Sequence, residues 1–190
     1  MITQINEIIR HRRSTYPEQF EVGKKVDDAI IWQMLENANW APTHKKTEPW
    51  RFVVFTGEGL KKLAEFQANL YKEKNQGEAF SEKTYQMLLT KPLKASHIIA
   101  IGMKRHEQVP EIEEIEAVAC AVQNMYLTAT AYKLGVYWGS GGITYYPEAK
   151  SFFGLGENDK FLGFLYVGHI AKPSPDASRK PIQEKVTWIE

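Results

Sequence analysis

The run from Ser96 to Met103 restricts this chain most, because Ile98, Ile99, Ala100 and Ile101 follow one another with no polar residue between them. A half-exposed strand alternates polar and apolar side chains, so an unbroken apolar run predicts a strand covered on both faces. The run is far shorter than the ~20 residues a membrane-crossing helix needs, and no membrane partner is expected. Helices are available to cover it. The longest follows Pro110, where a stripe of Ile112, Ile115 and Val118 widens into nearly all-round cover at Ala117, Ala119, Cys120, Ala121 and Val122. A helix apolar on every side passes through a core or an interface. With 190 residues, 43% of them hydrophobic, the chain has material for a real core, and one domain over residues 1–190 is expected.

The other elements follow from spacing and punctuation. Ile2, Ile5, Ile8 and Ile9 recur at helical intervals and predict a short amphipathic helix, ending near Arg10 to Thr15 and stopped by Tyr16-Pro17. A second helix begins near Asp27-Asp28, whose acids suit a positive N-terminal end, and carries Ile30, Ile31, Met34, Leu35 and Ala38 towards Pro42. Pro42 and Pro49 clamp a polar loop that contains Thr43, His44, Lys45, Lys46 and Glu48. Arg51 to Thr56 reads as a buried strand and Gly59 to Asn75 as a helix with Leu60, Leu63, Phe66 and Leu70 inward. Residues 76–95, cut by Gly77 and Pro92, are expected to form a peripheral excursion. Val136 to Trp138 predicts a short strand, Pro147 to Phe153 a brief helix, and Phe161 to Val167 the last strand. Residues 169–190, with Pro173, Pro175 and Pro181, predict an extended arm that packs along another surface.

Several chemistries are excluded. Basic and acidic residues nearly cancel, 24 against 23, so no overall field attracts nucleic acid. The single cysteine rules out an intramolecular disulfide, and Gln4, Asn6 and Glu7 interrupt what would be an apolar signal region, so the cytoplasm is expected. Phosphate loop, dinucleotide fingerprint, His-Glu-x-x-His and nucleophile elbow are all missing, and the five histidines lack metal-ligand spacing, so no metal is assigned. Cys120 has no cationic neighbour in sequence and reads as core packing. A chain so poor in catalytic side chains points to a borrowed cofactor.

The candidate binding groups each carry two readings. Arg12, Arg13 and Ser14 together suit a phosphate, through charge-assisted and bidentate hydrogen bonds; arginines at a helix end also simply complement its dipole. Arg179 and Lys180 either complete the same cage or are solvated charge. His44 either donates to a ligand or faces water. Trp40 and Trp138 are ligand platforms or core aromatics. Gly139-Ser140-Gly141-Gly142 admits a close backbone approach or makes only a turn.

Taken in order, these pieces resemble the nitroreductase family of FMN-dependent oxidoreductases. The resemblance spans Arg12-Arg13-Ser14, Ala41-Pro42 through Pro49-Trp50-Arg51-Phe52, the helix with Ala121 and Gln123-Asn124, Leu134-Gly135 into Trp138-Gly139-Ser140, the late strand ending in Gly168, and Arg179-Lys180-Pro181. It is strongest towards the small, compact NAD(P)H nitroreductase branch. It implies an α+β fold, a mostly antiparallel central sheet flanked by helices, and a homodimer that exchanges C-terminal arms and holds FMN at its interface. It further implies that Arg12, Arg13 and Ser14 hold the FMN phosphate and ribityl chain, with Arg179 returning to the phosphate. Trp138, Gly139, Ser140 and Gly141 would line the isoalloxazine, and Trp40, Pro42, Thr43 and His44 would reach it from the partner subunit. NADH or NADPH is then the reductant and a nitroaromatic, quinone or similar small molecule the acceptor, in a ping-pong scheme whose chemistry is the flavin's own. A flavin store or sensor, or another flavin reaction such as reductive dehalogenation, are the alternatives. Two departures matter. Tyr16 stands where many relatives have a cation, which is then absent or supplied elsewhere, by Lys45 or Lys46; Glu48 stands where glutamine is common, a carboxylate that disfavours an anionic reduced ring unless it is paired or turned away.

Overall fold

The computed structural model describes residues 1–190. Its helices are α1 (Ile2–His11), α2 (Asp28–Asn39), α3 (Glu58–Lys74), α4 (Glu82–Thr90) and α5 (Glu111–Ala131). Its strands are β1 (Trp50–Thr56), β2 (His97–Met103), β3 (Leu134–Gly139) and β4 (Lys160–His169). They form one antiparallel sheet in the order β1-β2-β4-β3.

Every residue of β2 is buried, as its unbroken apolar run demands. Alternate side chains supply two cores, since neighbours along a strand point to opposite faces. Ile99, Ile101 and Met103 join Ile31, Met34, Val118, Val122 and Met125 beneath α2 and α5. Ile98 and Ala100 join Leu60, Leu63, Phe161 and Phe164 on the α3 side. The Asp27 carboxylate caps α2 by accepting from the Ala29 amide at 2.9 Å, which is why that helix starts where its acids predict.

Two expectations change. β1 is an edge strand with Arg51 and Val54 exposed, not a buried one, because only β2 pairs with it. Cys120 is exposed on α5 and takes no part in the core. The 76–95 excursion contains α4, which packs on α3 around Ala68, Tyr71 and Leu88 and ends before Pro92.

Two local devices set the frame for the site. Gly163 on β4 has φ +108, and a Cβ there would lie 2.3 Å from the Gly139 carbonyl oxygen, so only glycine lets the end of β3 pass this closely. Beyond the end of β2, Glu114 on α5 is 1% exposed and accepts from Arg105 (2.7 Å), from the His106 amide (3.0 Å) and from the His106 ring (2.7 Å). Burial pushes the Glu114 carboxyl up, but those bonds outweigh it and hold it below the usual range.

Candidate functional site

β3 is the sheet's second edge, and its outward-facing backbone groups must find partners off the sheet. The chain following α1 lies along it. The Thr15 amide donates to the Val136 carbonyl at 2.8 Å, and two residues on, the Trp138 amide donates to the Tyr126 hydroxyl of α5 at 2.7 Å. This brings the Arg12-Arg13-Ser14 motif against the Leu134 to Ser140 segment. The Arg12 guanidinium lies over the Tyr126 ring at 5.2 Å, and Ser14 Oγ lies 3.5 Å from the Tyr126 hydroxyl. Arg12 has no carboxylate partner; Arg105 is the only arginine in an ion pair.

The Trp138 indole donates to the Leu162 carbonyl at 2.9 Å and, with Ile115, Ser140, Thr144 and Tyr145, lines a cleft of about 370 Å³. Trp138 is therefore half core aromatic and half cleft wall. Ser140 and Gly141 are exposed, and nothing lies within 4 Å of where a Gly141 Cβ would be, so this backbone is open to a ligand while Gly139 is packed against Tyr137 and Gly163.

Arg13 does not join Arg12. Its guanidinium turns back to the carbonyls of Arg10 (2.6 Å) and Arg12 (3.0 Å), the helix-end role, and faces a separate cleft with His11, Lys133 and Ser174. The root of the arm is fixed to the same motif, Ser174 Oγ donating to the Ser14 carbonyl at 3.0 Å. Arg179 lies further out on the exposed arm, where its guanidinium donates to the neighbouring Ser178 carbonyl.

The loop between the prolines lies elsewhere in the chain. Trp40 is 79% exposed with its indole donating to Glu36, and Pro42 is exposed. Lys45, Lys46 and Glu48 have φ of 50, 55 and 44, left-handed values that cost non-glycine residues about 1–2 kcal/mol each. Side chains hold that geometry: Thr43 Oγ1 accepts from the Glu48 amide at 3.1 Å, Lys45 donates to the Gln108 carbonyl at 3.0 Å, and His44 Nδ1 pairs with Glu113. Glu113 and Tyr126 are separated by roughly 20 Å along α5 at about 1.5 Å per residue, so one chain alone does not bring His44 to Arg12.

Sequence reasoning missed Lys91. Its ammonium sits half-buried over the rings of Tyr137 (5.0 Å) and Tyr166 (5.3 Å), without an ion pair, and burial lowers its pKa below the ordinary lysine range. Tyr137 in turn packs on Tyr16, ring centroids 4.7 Å apart. A cation therefore stands behind Tyr16, from a segment that looked peripheral. Lys45, which was a candidate for that role, is committed to Gln108. No local pattern marks Lys91, because its partners are distant in sequence.

An unpaired guanidinium, a hydroxyl, open backbone and an aromatic wall form a donor set that fits a phosphorylated planar group, and no cluster of His, Cys, Asp or Glu here could hold a metal ion. An antiparallel α+β protein with such a cradle along a sheet edge is of the cofactor-binding class. Within it, the chain belongs to the nitroreductase family, whose sequence profile matches residues 9–169, and is a nitroreductase-like oxidoreductase. It is 28% identical over 183 residues to the Bacillus subtilis protein named "Putative NAD(P)H nitroreductase YfhC", covering 96% of this chain and 93% of that one. The crystal structure of the nitroreductase-like family protein from Bacillus cereus is similar with TM-score 0.82 and 31% identity, over 98% of this chain and 96% of that one. The FMN-dependent nitroreductase NfnB from Mycobacterium smegmatis, solved in complex with NADPH, shares the fold over the full length of both chains, with TM-score 0.78 and 16% identity.

Proposed function

We propose that this chain is an FMN-dependent NAD(P)H oxidoreductase, working as a cytoplasmic homodimer and passing reducing equivalents to a small nitroaromatic or quinone acceptor in a ping-pong cycle. The observation that carries this is Arg12, a guanidinium with no carboxylate partner, held beside Ser14 and along the same sheet edge as the open Ser140-Gly141 backbone in a nitroreductase-family chain. FMN, when bound, supplies a ring that accepts a hydride from a reduced nicotinamide and yields it to an acceptor.

The chain's own residues bind and tune. Arg12 and Ser14 hold the phosphate and ribityl chain, and Arg179 joins them once the arm is seated. Arg13 fixes the end of α1 that carries both. Trp138, Gly139, Ser140 and Gly141 line the ring, and Lys91, behind Tyr137 and Tyr16, supplies positive charge. Trp40, Pro42, Thr43 and His44 serve the partner's site, since His44, held at Glu113, lies far from Arg12 of its own chain.

Surface area supports the dimer. The chain exposes 11741 Å², whereas a compact monomer of its mass needs roughly 9300 Å². The excess is the size of an obligate interface. Much of it is apolar: Ile2, Ile5 and Ile9 of α1, Ile112 of α5, and Val186, Trp188 and Ile189 of the arm are all exposed. Exposed Val54 on the open β1 edge gives an arm a surface to pair with.

The test is spectroscopic. Purified protein should carry flavin absorbance, or acquire it with added FMN, and lose it anaerobically with NADH or NADPH. A protein that stays colourless with FMN sinks the flavin reading, and oxidised-flavin absorbance that persists with both nicotinamides replaces the reductase with a flavin store.

A further inference from the structure

We infer that Tyr126 is a positioning residue that couples the phosphate-binding motif to the ring-lining segment. It rests on the FMN reading above, but its geometry is that of this chain alone.

Tyr126 is buried on α5, and one side chain meets both halves of the site. Its ring carries the Arg12 guanidinium at 5.2 Å. Its hydroxyl accepts from the Trp138 amide at 2.7 Å and also lies 3.5 Å from Ser14 Oγ. The Trp138 amide faces away from the sheet, where no further strand exists, so the hydroxyl replaces the missing backbone acceptor on that edge. An arginine side chain is otherwise free to sample many rotamers; the aromatic face orients it while leaving its N–H groups available. Tyr126 thus fixes the distance between the group that grips the anion and the backbone that meets the ring.

Ring and hydroxyl make separable predictions, read in the full-length protein with FMN as the probe. Tyr126→Phe keeps the platform under Arg12, so the FMN Kd stays within about threefold of wild type, while release of the Trp138 amide shifts the bound-flavin absorption bands and accelerates hydrogen exchange at that amide. Tyr126→Leu removes the platform and weakens FMN about tenfold. Arg12→Ala weakens it about 10- to 100-fold through loss of a charge-assisted contact. If the ring acts through Arg12, Arg12→Ala combined with Tyr126→Leu binds no more weakly than Arg12→Ala combined with Tyr126→Phe. Independent losses that multiply in the Tyr126→Leu double variant overturn the inference, as does a Tyr126→Phe protein with wild-type flavin bands and wild-type exchange at Trp138. The Phe variant keeps the inference falsifiable if the Leu variant does not fold. A wild-type protein that takes up no FMN overturns both this and the cofactor reading, and is recognised because it fails before any substitution is made.

Discussion

Arg12 and Arg13 are adjacent, identical and opposite in use. Arg12 is unpaired over an aromatic ring, whereas Arg13 bonds the last carbonyls of its own helix. Both uses were visible as possibilities for the pair, but which arginine takes which depends on where the backbone turns after α1. Lys91 is the harder case, because its significance comes from Tyr137 and Tyr166, far along the chain. In the proposed flavin site, an unpaired cation behind the Trp138 segment would stabilise a reduced, anionic ring. Replacing Lys91 with Gln should therefore lower the two-electron reduction potential of bound FMN by about 30 mV, equivalent to ~1.4 kcal/mol, with Lys91→Arg close to wild type. Equal potentials in all three proteins would show that Lys91 does not tune the ring. Glu48, flagged as an unwelcome carboxylate, is exposed, and its backbone carbonyl accepts from Arg51 at 2.9 Å within the clamped loop.

At the scale of elements, α2 and β2 are joined through one buried imidazole. His97 begins β2, is 1% exposed, and bonds Ser96 Oγ at 2.9 Å and the Asp28 carboxylate of α2 at 3.0 Å, with Lys25 as the other charge nearby. Ser96 Oγ also accepts from the Val26 amide at 2.7 Å. Burial pulls the His97 pKa below its ordinary value near 6.5, although the Asp28 bond opposes the shift. The folded chain therefore resists a proton that the unfolded chain takes up. Stability is fully present above about pH 6.5 and is lost as pH falls towards the depressed folded value, by at most about 1.4 kcal/mol per pH unit. Denaturant melts between pH 7 and 5 should show this slope in wild type and a flatter one in His97→Gln; parallel slopes would place the titration elsewhere. Element type was legible from apolar spacing, and β2 was legible in full, since no other placement hides Ile98 to Ile101. The edge position of β1 was not, because Phe52, Val53 and Phe55 suit a central strand or a half-covered edge equally well.

For the whole molecule, the arm and the apolar face of α1 are exposed, and the proposed homodimer would cover them. Deleting residues 175–190 should yield a species of single-subunit mass in sedimentation, with FMN affinity at least about tenfold weaker, since in the proposed homodimer the arm brings Arg179 to the phosphate and covers the interface. A truncated protein that remains dimeric and binds FMN normally would remove the arm from both roles.

The sequence by itself determined the strand buried on both faces, the helices that cover it, the clamped polar loop and the motif that begins at Arg12. Each depends on residues adjacent in the chain or at a fixed helical or strand interval. Only the tertiary structure decided that β1 and β3 are the edges, that Cys120 is exposed, and that Arg12 is the free member of its pair. It also decided that Tyr126 meets both Arg12 and the Trp138 amide, and that Lys91 lies over Tyr137 and Tyr166. Those outcomes depend on contacts between distant segments, and such contacts are fixed by how the sheet orders its strands, which no local spacing encodes.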